Sequence, residues 1–79
     1  MRLDKYLKVS RLIKRRTLAN EACDHGKVKI GGKEAKPGDR VKVGDILEMR
    51  FGEKVYRYEV LSIAEHATKE DAGLMYRAL

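Results

Sequence analysis

The spacing of apolar residues changes its period near Gly26, and this change constrains the fold of the 79-residue chain more than any other feature. Before that point, apolar residues recur every three or four positions, as Leu3, Tyr6 and Leu7 do, which predicts amphipathic helices. After it, apolar and polar residues alternate in short runs separated by glycine-containing turns, which predicts strands. We therefore expect an α+β fold in which two short N-terminal helices pack on a small, mainly antiparallel sheet.

The expected helices cover residues 3–10 and 16–25, and Gly26 follows the second helix as a left-handed C-terminal cap. The expected strands cover residues 27–30, 40–43, 46–51 and 55–63. Thr68 and Asp71 have the spacing of a capping box, which predicts a short C-terminal helix that continues toward the end of the chain.

Positive charge is concentrated at the N-terminus. The chain holds 18 Lys and Arg residues against 12 Asp and Glu residues, which gives a net charge of +6. Residues 1–16 contain seven of the cations and one acid, so this segment alone accounts for the excess. A basic patch on an otherwise neutral body is typical of a protein that binds a polyanion, and RNA, DNA and an anionic membrane are the candidates.

The first helix is expected to present most of this basic patch. Lys5, Lys8 and Arg11 fall with Asp4 on the face opposite the apolar residues. Because no other acid balances the three cations, we expect them to contact phosphates. Arg2 stands at the start of the helix, where a cation opposes the helix dipole, so we expect it to contact RNA as well.

Asp4 is the only acid in this patch, and two roles for it stay open. It could form an ion pair with Lys8 one helical turn later, which is a purely structural role. Alternatively, it could orient Arg2 or Arg16, or accept a hydrogen bond from a base amine or a ribose hydroxyl.

Three consecutive cations, Lys14, Arg15 and Arg16, coincide with the start of the second helix. Cations are unfavourable at a helix N-terminus unless an anion binds there, so we expect a phosphate at this point. Thr17 and Asn20 are the expected polar supporters of that contact.

Other functions are disfavoured by what the sequence holds. Cys23 is the only cysteine, so no intramolecular disulfide is expected, and with His25 and His66 it provides too few ligands for a structural zinc site. The length allows one small domain over residues 1–79, with little room for a substrate pocket, so neither an enzyme nor a cofactor is expected.

No apolar run has the roughly 20 residues of a membrane span. The N-terminus lacks the pattern of a signal peptide, so we expect a cytoplasmic protein without a membrane partner. No pair of DNA-recognition helices is evident, so DNA is not expected as a partner.

Three stretches of the sequence resemble the S4 RNA-binding domain: RLDKYLKVSRL at 2–12, KRRTLANEACDHGKVKIGGK at 14–33 and VKVGD at 41–45. This resemblance implies the S4, or alpha-L, fold, in which the two-helix face docks on structured RNA. It also implies that Arg16 contacts RNA, because Arg16 matches a position that S4 domains keep for this purpose. Arg15 departs from the pattern, since many relatives have a Ser or Thr helix cap there.

The resemblance continues beyond these stretches to a stand-alone S4 subgroup of bacterial ribosome-associated quality control. It is carried by KVKIGGKEAKPGD, by the FGEK turn and by KEDAGLMY. It implies a non-catalytic monomer that binds large-subunit rRNA and peptidyl-tRNA on an obstructed subunit, beside a tRNA-recruiting factor that adds an alanine tail to the stalled chain. The alternative is a general rRNA- or tRNA-binding protein, similar to the S4-type heat-shock proteins, in ribosome assembly or in recycling of stalled subunits.

Overall fold

The change of period at Gly26 marks the boundary between helices and sheet in the computed structural model, which describes residues 1–79. The helices are α1 (Leu3–Val9), α2 (Arg16–Asp24) and α3 (Lys69–Ala72). The strands are β1 (Val28–Ile30), β2 (Lys33–Glu34), β3 (Ile46–Phe51), β4 (Lys54–Val60) and β5 (Tyr76–Ala78). They form one sheet in the order β2-β1-β3-β4-β5, in which every neighbouring pair is antiparallel. The predicted α+β class and both N-terminal helices are confirmed.

Gly26 has the left-handed conformation that the cap requires, with φ of 70°. A residue with a side chain adopts this conformation only at a cost, which explains why a glycine follows the His25 cap of α2. Only Lys27 separates Gly26 from β1, so the turn after α2 leads into the sheet without a linker.

The predicted strand at residues 40–43 is wrong. Arg40 forms an isolated bridge with Arg2, and the backbone N–H of Val41 donates to the carbonyl of Met1 at 2.9 Å. This segment therefore pairs with the start of the chain instead of joining the sheet. The alternation does not mark a buried strand face, because Val41 is buried while Val43, two residues later, is exposed.

The C-terminal end also differs from the prediction. Thr68 caps α3 by accepting a hydrogen bond from the backbone N–H of Asp71 at 3.1 Å, as predicted. The helix does not continue, because Gly73 ends it and the last residues form β5, which pairs with β4. The β4 strand itself ends at Val60, three residues earlier than expected.

The core lies between the two N-terminal helices and one face of the sheet. Its largest fully buried side chains are Tyr6, Leu3, Leu7, Leu47, Met49, Met75, Val28 and Val60. Cys23 is also buried, as expected for a small helix residue, and this burial raises the pKa of its thiol to about 11.

A buried hydrogen bond ties the C-terminal part of the chain to α1. The Tyr6 hydroxyl donates to the carbonyl of Met75 at 2.7 Å, and the same carbonyl accepts from the backbone N–H of Leu61 at 2.8 Å. Residues 61–75 are thereby held against the helical layer, although they lie far from it in sequence.

Replacing Tyr6 by Phe should lower the free energy of unfolding by about 1 kcal/mol, because one buried hydrogen bond is lost. The loss stays limited because the Met75 carbonyl keeps its bond from Leu61. Urea unfolding measures the effect. Tyr56→Phe, on the exposed part of β4, is the matched control and should change the value by less than about 0.5 kcal/mol. Equal effects of the two changes would contradict the role assigned to this hydrogen bond.

Candidate nucleic-acid interface

The connection between α1 and α2 reverses the chain within a few residues. Arg11 is the only non-glycine residue with a positive φ, at 62°, and its N–H donates to the carbonyl of Lys8 at 3.0 Å. The N–H of Ile13 then donates to the carbonyl of Leu7 at 3.1 Å. This tight reversal, together with burial of Ile13, brings the start of α2 alongside the basic face of α1.

The two helices border an open groove, here called the N-terminal groove, with a volume of about 380 Å³. Five cations line it: Lys5, Lys8, Arg11, Lys14 and Arg16. The opposite wall comes from the loop that precedes α3 and consists of Glu65, His66 and Ala67. The groove therefore combines a strongly basic wall with a short C-terminal loop.

Asp4 is the acid around which the arginines of this region are arranged. It is 2% exposed, so its predicted place on the solvent-facing side of α1 is wrong. Its Oδ1 accepts hydrogen bonds from Arg2 Nε at 3.2 Å and from Arg16 Nη2 at 3.4 Å. Its Oδ2 accepts from Arg2 Nη2 at 3.3 Å and from Asn20 Nδ2 at 3.4 Å.

The contacts of Asp4 decide between its two predicted roles. Its ion pairs are made with Arg2 and Arg16, and none is made with Lys8, so the structure favours orientation of the arginines. The side chains of Arg2 and Arg16 remain 49% and 48% exposed. Each guanidinium thus has a fixed edge against Asp4 and donors that stay open to a ligand.

The ionisation of Asp4 reflects two opposing influences. Burial disfavours the charged carboxylate and by itself would raise the pKa of Asp4. Hydrogen bonds from Arg2 and Arg16, the charge of Arg16 and the hydrogen bond from Asn20 act in the other direction. Together they outweigh burial and hold the pKa of this carboxyl below its usual value, so Asp4 is charged at neutral pH.

Five of the predicted contact residues do not line the N-terminal groove: Arg2, Asp4, Arg15, Thr17 and Asn20. Arg15 precedes the first helical residue of α2 in an extended conformation, and its side chain makes no capping hydrogen bond. Thr17 is exposed in the first turn of the same helix. Arg15 and Thr17 flank Arg16 in sequence without lining the groove. Because the Arg15 side chain makes no cap, the first backbone N–H groups of α2 are uncapped by it.

Sequence reasoning missed the three loop residues of the groove. Glu65 forms an ion pair with Lys5, 60 residues earlier in the chain. That contact lowers the pKa of Glu65 through a hydrogen bond from Lys5 and through its charge. No local pattern signals such a contact, because it depends on how β4 and the following segment return the chain to α1.

No group of three or more His, Cys, Asp or Glu side chains is placed to hold a metal ion. None of the helices has the length and apolar character needed to cross a membrane.

Replacing Asp4 by Asn should lower the free energy of unfolding at pH 7 by about 2 kcal/mol, because charge-assisted hydrogen bonds to two arginines are lost. The folded-state pKa of Asp4 is lowered from its ordinary value of 3.8, so its charge stabilises the fold above that pH and ceases to do so as the pH falls below it. The difference between wild type and Asp4→Asn should therefore shrink as the pH is lowered through this range in urea titrations.

Asp24→Asn is the control for this measurement, because Asp24 is exposed at the end of α2 and its loss removes the same formal charge. We expect it to change the stability by less than about 0.5 kcal/mol. A loss in Asp4→Asn that is independent of pH would contradict the assigned role of the carboxylate.

Comparison with known proteins agrees with this geometry. Residues 1–47, which contain α1, α2 and β1, match the S4 domain. A Halalkalibacterium halodurans protein named RQC P-site tRNA stabilizing factor is 53% identical over 76 residues, covering 96% of this chain and 86% of that protein. The Bacillus subtilis protein of the same name is 52% identical over 79 residues, covering 100% of this chain and 92% of that protein.

A solved structure extends the similarity to the whole fold. The trimeric heat shock protein 15 of Vibrio cholerae superimposes with a TM-score of 0.91 at 31% sequence identity, covering 100% of this chain and 81% of that one. The residues that match the S4 domain include α1, α2 and the five groove cations. The superposition also includes the whole sheet and the C-terminal segment. The chain therefore belongs to the S4-domain family, among the RQC P-site tRNA stabilizing factors.

Proposed function

We propose that this chain is a non-catalytic RNA-binding factor that acts on the large ribosomal subunit, with the N-terminal groove as its RNA-binding site. The observation that carries the proposal is the wall of five cations, one of which, Arg16, is oriented together with Arg2 by the buried Asp4. A basic surface that contacts only water would not need a buried acid to orient its arginines.

The chemistry of the groove suits an RNA backbone. Arg16 in the groove, and Arg2 that shares its Asp4 contact, present planar donors that match phosphate oxygens. Lys5, Lys8 and Lys14 provide point charges along the groove. The uncapped N–H groups at the start of α2 add further donors for an anion. Such contacts recognise the shape and spacing of phosphates and ribose hydroxyls, with little dependence on base sequence.

We further propose that the bound RNA is large-subunit rRNA together with peptidyl-tRNA, on a subunit obstructed by a stalled chain in the cytoplasm. The names of the relatives that are about half identical to this chain support this assignment. In this setting the chain, as a monomer, acts beside a tRNA-recruiting factor that adds an alanine tail. The second candidate is a general rRNA- or tRNA-binding protein in ribosome assembly or in recycling of stalled subunits. The superposition with heat shock protein 15, at 31% identity, supports it less well than the half-identical relatives support the first.

We propose that residues 1–79 act as one binding unit. The S4 match ends at residue 47, inside β3, so the sheet runs across that boundary into β4 and β5. The loop of residues 65–67 also lines the same groove as the helices.

Replacing Arg16 by Ala should weaken binding to purified large subunits that carry peptidyl-tRNA by roughly 10- to 100-fold, because a charge-assisted contact is lost. Lys54→Ala removes one positive charge at the start of β4, outside the groove, and should leave binding nearly unchanged. Sucrose-gradient sedimentation with tagged protein measures both variants. Equal losses would contradict the groove as the site.

The same gradients separate the two candidate functions. Co-migration with the fractions that contain peptidyl-tRNA supports the quality-control assignment. Equal association with subunits that lack peptidyl-tRNA favours the general rRNA-binding alternative.

The number of phosphate contacts should appear in the salt dependence of RNA binding. If each of the five groove cations neutralises one phosphate, the slope of log affinity against log salt should be roughly −3.5 to −4.5. Fluorescence anisotropy with a labelled structured RNA at several salt concentrations gives this slope. A slope near zero would exclude a phosphate-based interface.

A further inference from the structure

Glu65 is the only acid that lines the N-terminal groove, and it forms an ion pair with one of the five groove cations, Lys5. The Glu65 side chain is 67% exposed, while that of Lys5 is 34% exposed. An acid in this position reduces the positive charge of the surface that the proposed function assigns to RNA. Its presence therefore calls for a physical explanation.

The loop that carries Glu65 is anchored on both sides. Ala64 and Ala67 pack against the hydrophobic core, and the Tyr6–Met75 hydrogen bond holds the segment that follows. Glu65 thus reaches Lys5 from a fixed backbone, and only its side chain has to move to release the ammonium group.

We propose that Glu65 is an internal competitor of RNA phosphate at Lys5, so that RNA binding requires displacement of its carboxylate. This inference rests on the proposed function of the groove. A carboxylate and a phosphodiester are both anions with oxygen acceptors, and a Lys ammonium group binds either without a fixed geometry. The exposure of Glu65 leaves it free to turn into solvent when phosphate takes its place.

The cost of displacing Glu65 is the same for every RNA that contacts Lys5, whatever its length. It takes a larger share of the binding free energy from a strand that meets few groove cations than from a folded RNA that follows the whole groove. The competitor therefore lowers the affinity of every polyanion that depends on Lys5.

Glu65→Gln should strengthen binding of a fluorescein-labelled 20-nucleotide poly(U) strand by ~2- to 5-fold, the range that corresponds to an exposed ion pair. Glu59→Gln is the matched control, because it removes the same charge from β4, where Glu59 pairs with Arg77 away from the groove. Anisotropy titrations at low salt should show a clearly smaller gain for the control.

The Lys5→Ala background tests whether the effect passes through Lys5. There, Glu65→Gln should strengthen binding no more than Glu59→Gln does. A full gain in the absence of Lys5 would overturn the inference, because the effect would then be long-range charge repulsion. Equal gains for the two Gln variants in the otherwise wild-type protein would overturn it as well.

Arg16→Ala in the same assay separates this inference from the proposed function. If Arg16→Ala weakens binding and the two Gln variants behave alike, the groove binds RNA and only the competition is excluded. If Arg16→Ala binds poly(U) as the wild type does, the groove is not the RNA site, and both the proposed function and the competition are overturned.

Discussion

The buried carboxylate of Asp4 is the interaction on which the helical face of this protein depends. It accepts hydrogen bonds from Arg2 before α1, from Arg16 at the start of α2 and from Asn20 one turn later. These residues come from two helices that the chain joins through a tight reversal. Without an acid between them, Arg2 and Arg16 would repel each other at the point where both helices begin. One carboxylate thus joins the two helices and fixes the direction of two cations.

The sheet completes the groove by returning the C-terminal segment to α1. After β4, the backbone is held through the Met75 carbonyl, which accepts from both Tyr6 and Leu61. This places residues 65–67 opposite the basic wall of the helices. The sheet is therefore more than a support for the helices, because its far end supplies one side of the candidate site.

Local patterns in the sequence were sufficient to predict the elements whose causes are local. The start of α2 at Arg16, the cap at Gly26, the Ile46–Phe51 strand and the Thr68 cap each follow from spacing or turn chemistry within a few residues. Residues 40–43 were predicted wrongly because two valines alternate with Arg40 and Lys42 as in a strand, whereas only Val41 is buried and its N–H bonds to the N-terminal segment.

In the candidate site, too, features with local causes were predicted and features that depend on distant contacts were not. The groove cations lie in one sequence segment, so charge counting was enough to find them. Burial of Asp4 depends on α2 covering α1, and helical spacing alone placed it with the exposed lysines. The contact between Lys5 and Glu65 spans 60 residues and depends on the whole sheet topology, so no sequence pattern indicated it.

Asp4 and Glu65 differ in burial, and for this reason an incoming anion affects the two acids differently. Asp4 is enclosed by its partners and is 2% exposed, so a phosphate can approach the outer edges of Arg2 and Arg16 but cannot take its place. Glu65 meets Lys5 at the surface, where water can solvate the carboxylate as soon as it is released. The first acid therefore orients charge permanently, and under the proposed competition the second neutralises charge only until RNA arrives. A basic groove built in this way holds Arg16 in a fixed orientation and keeps Lys5 neutralised until an anion displaces Glu65.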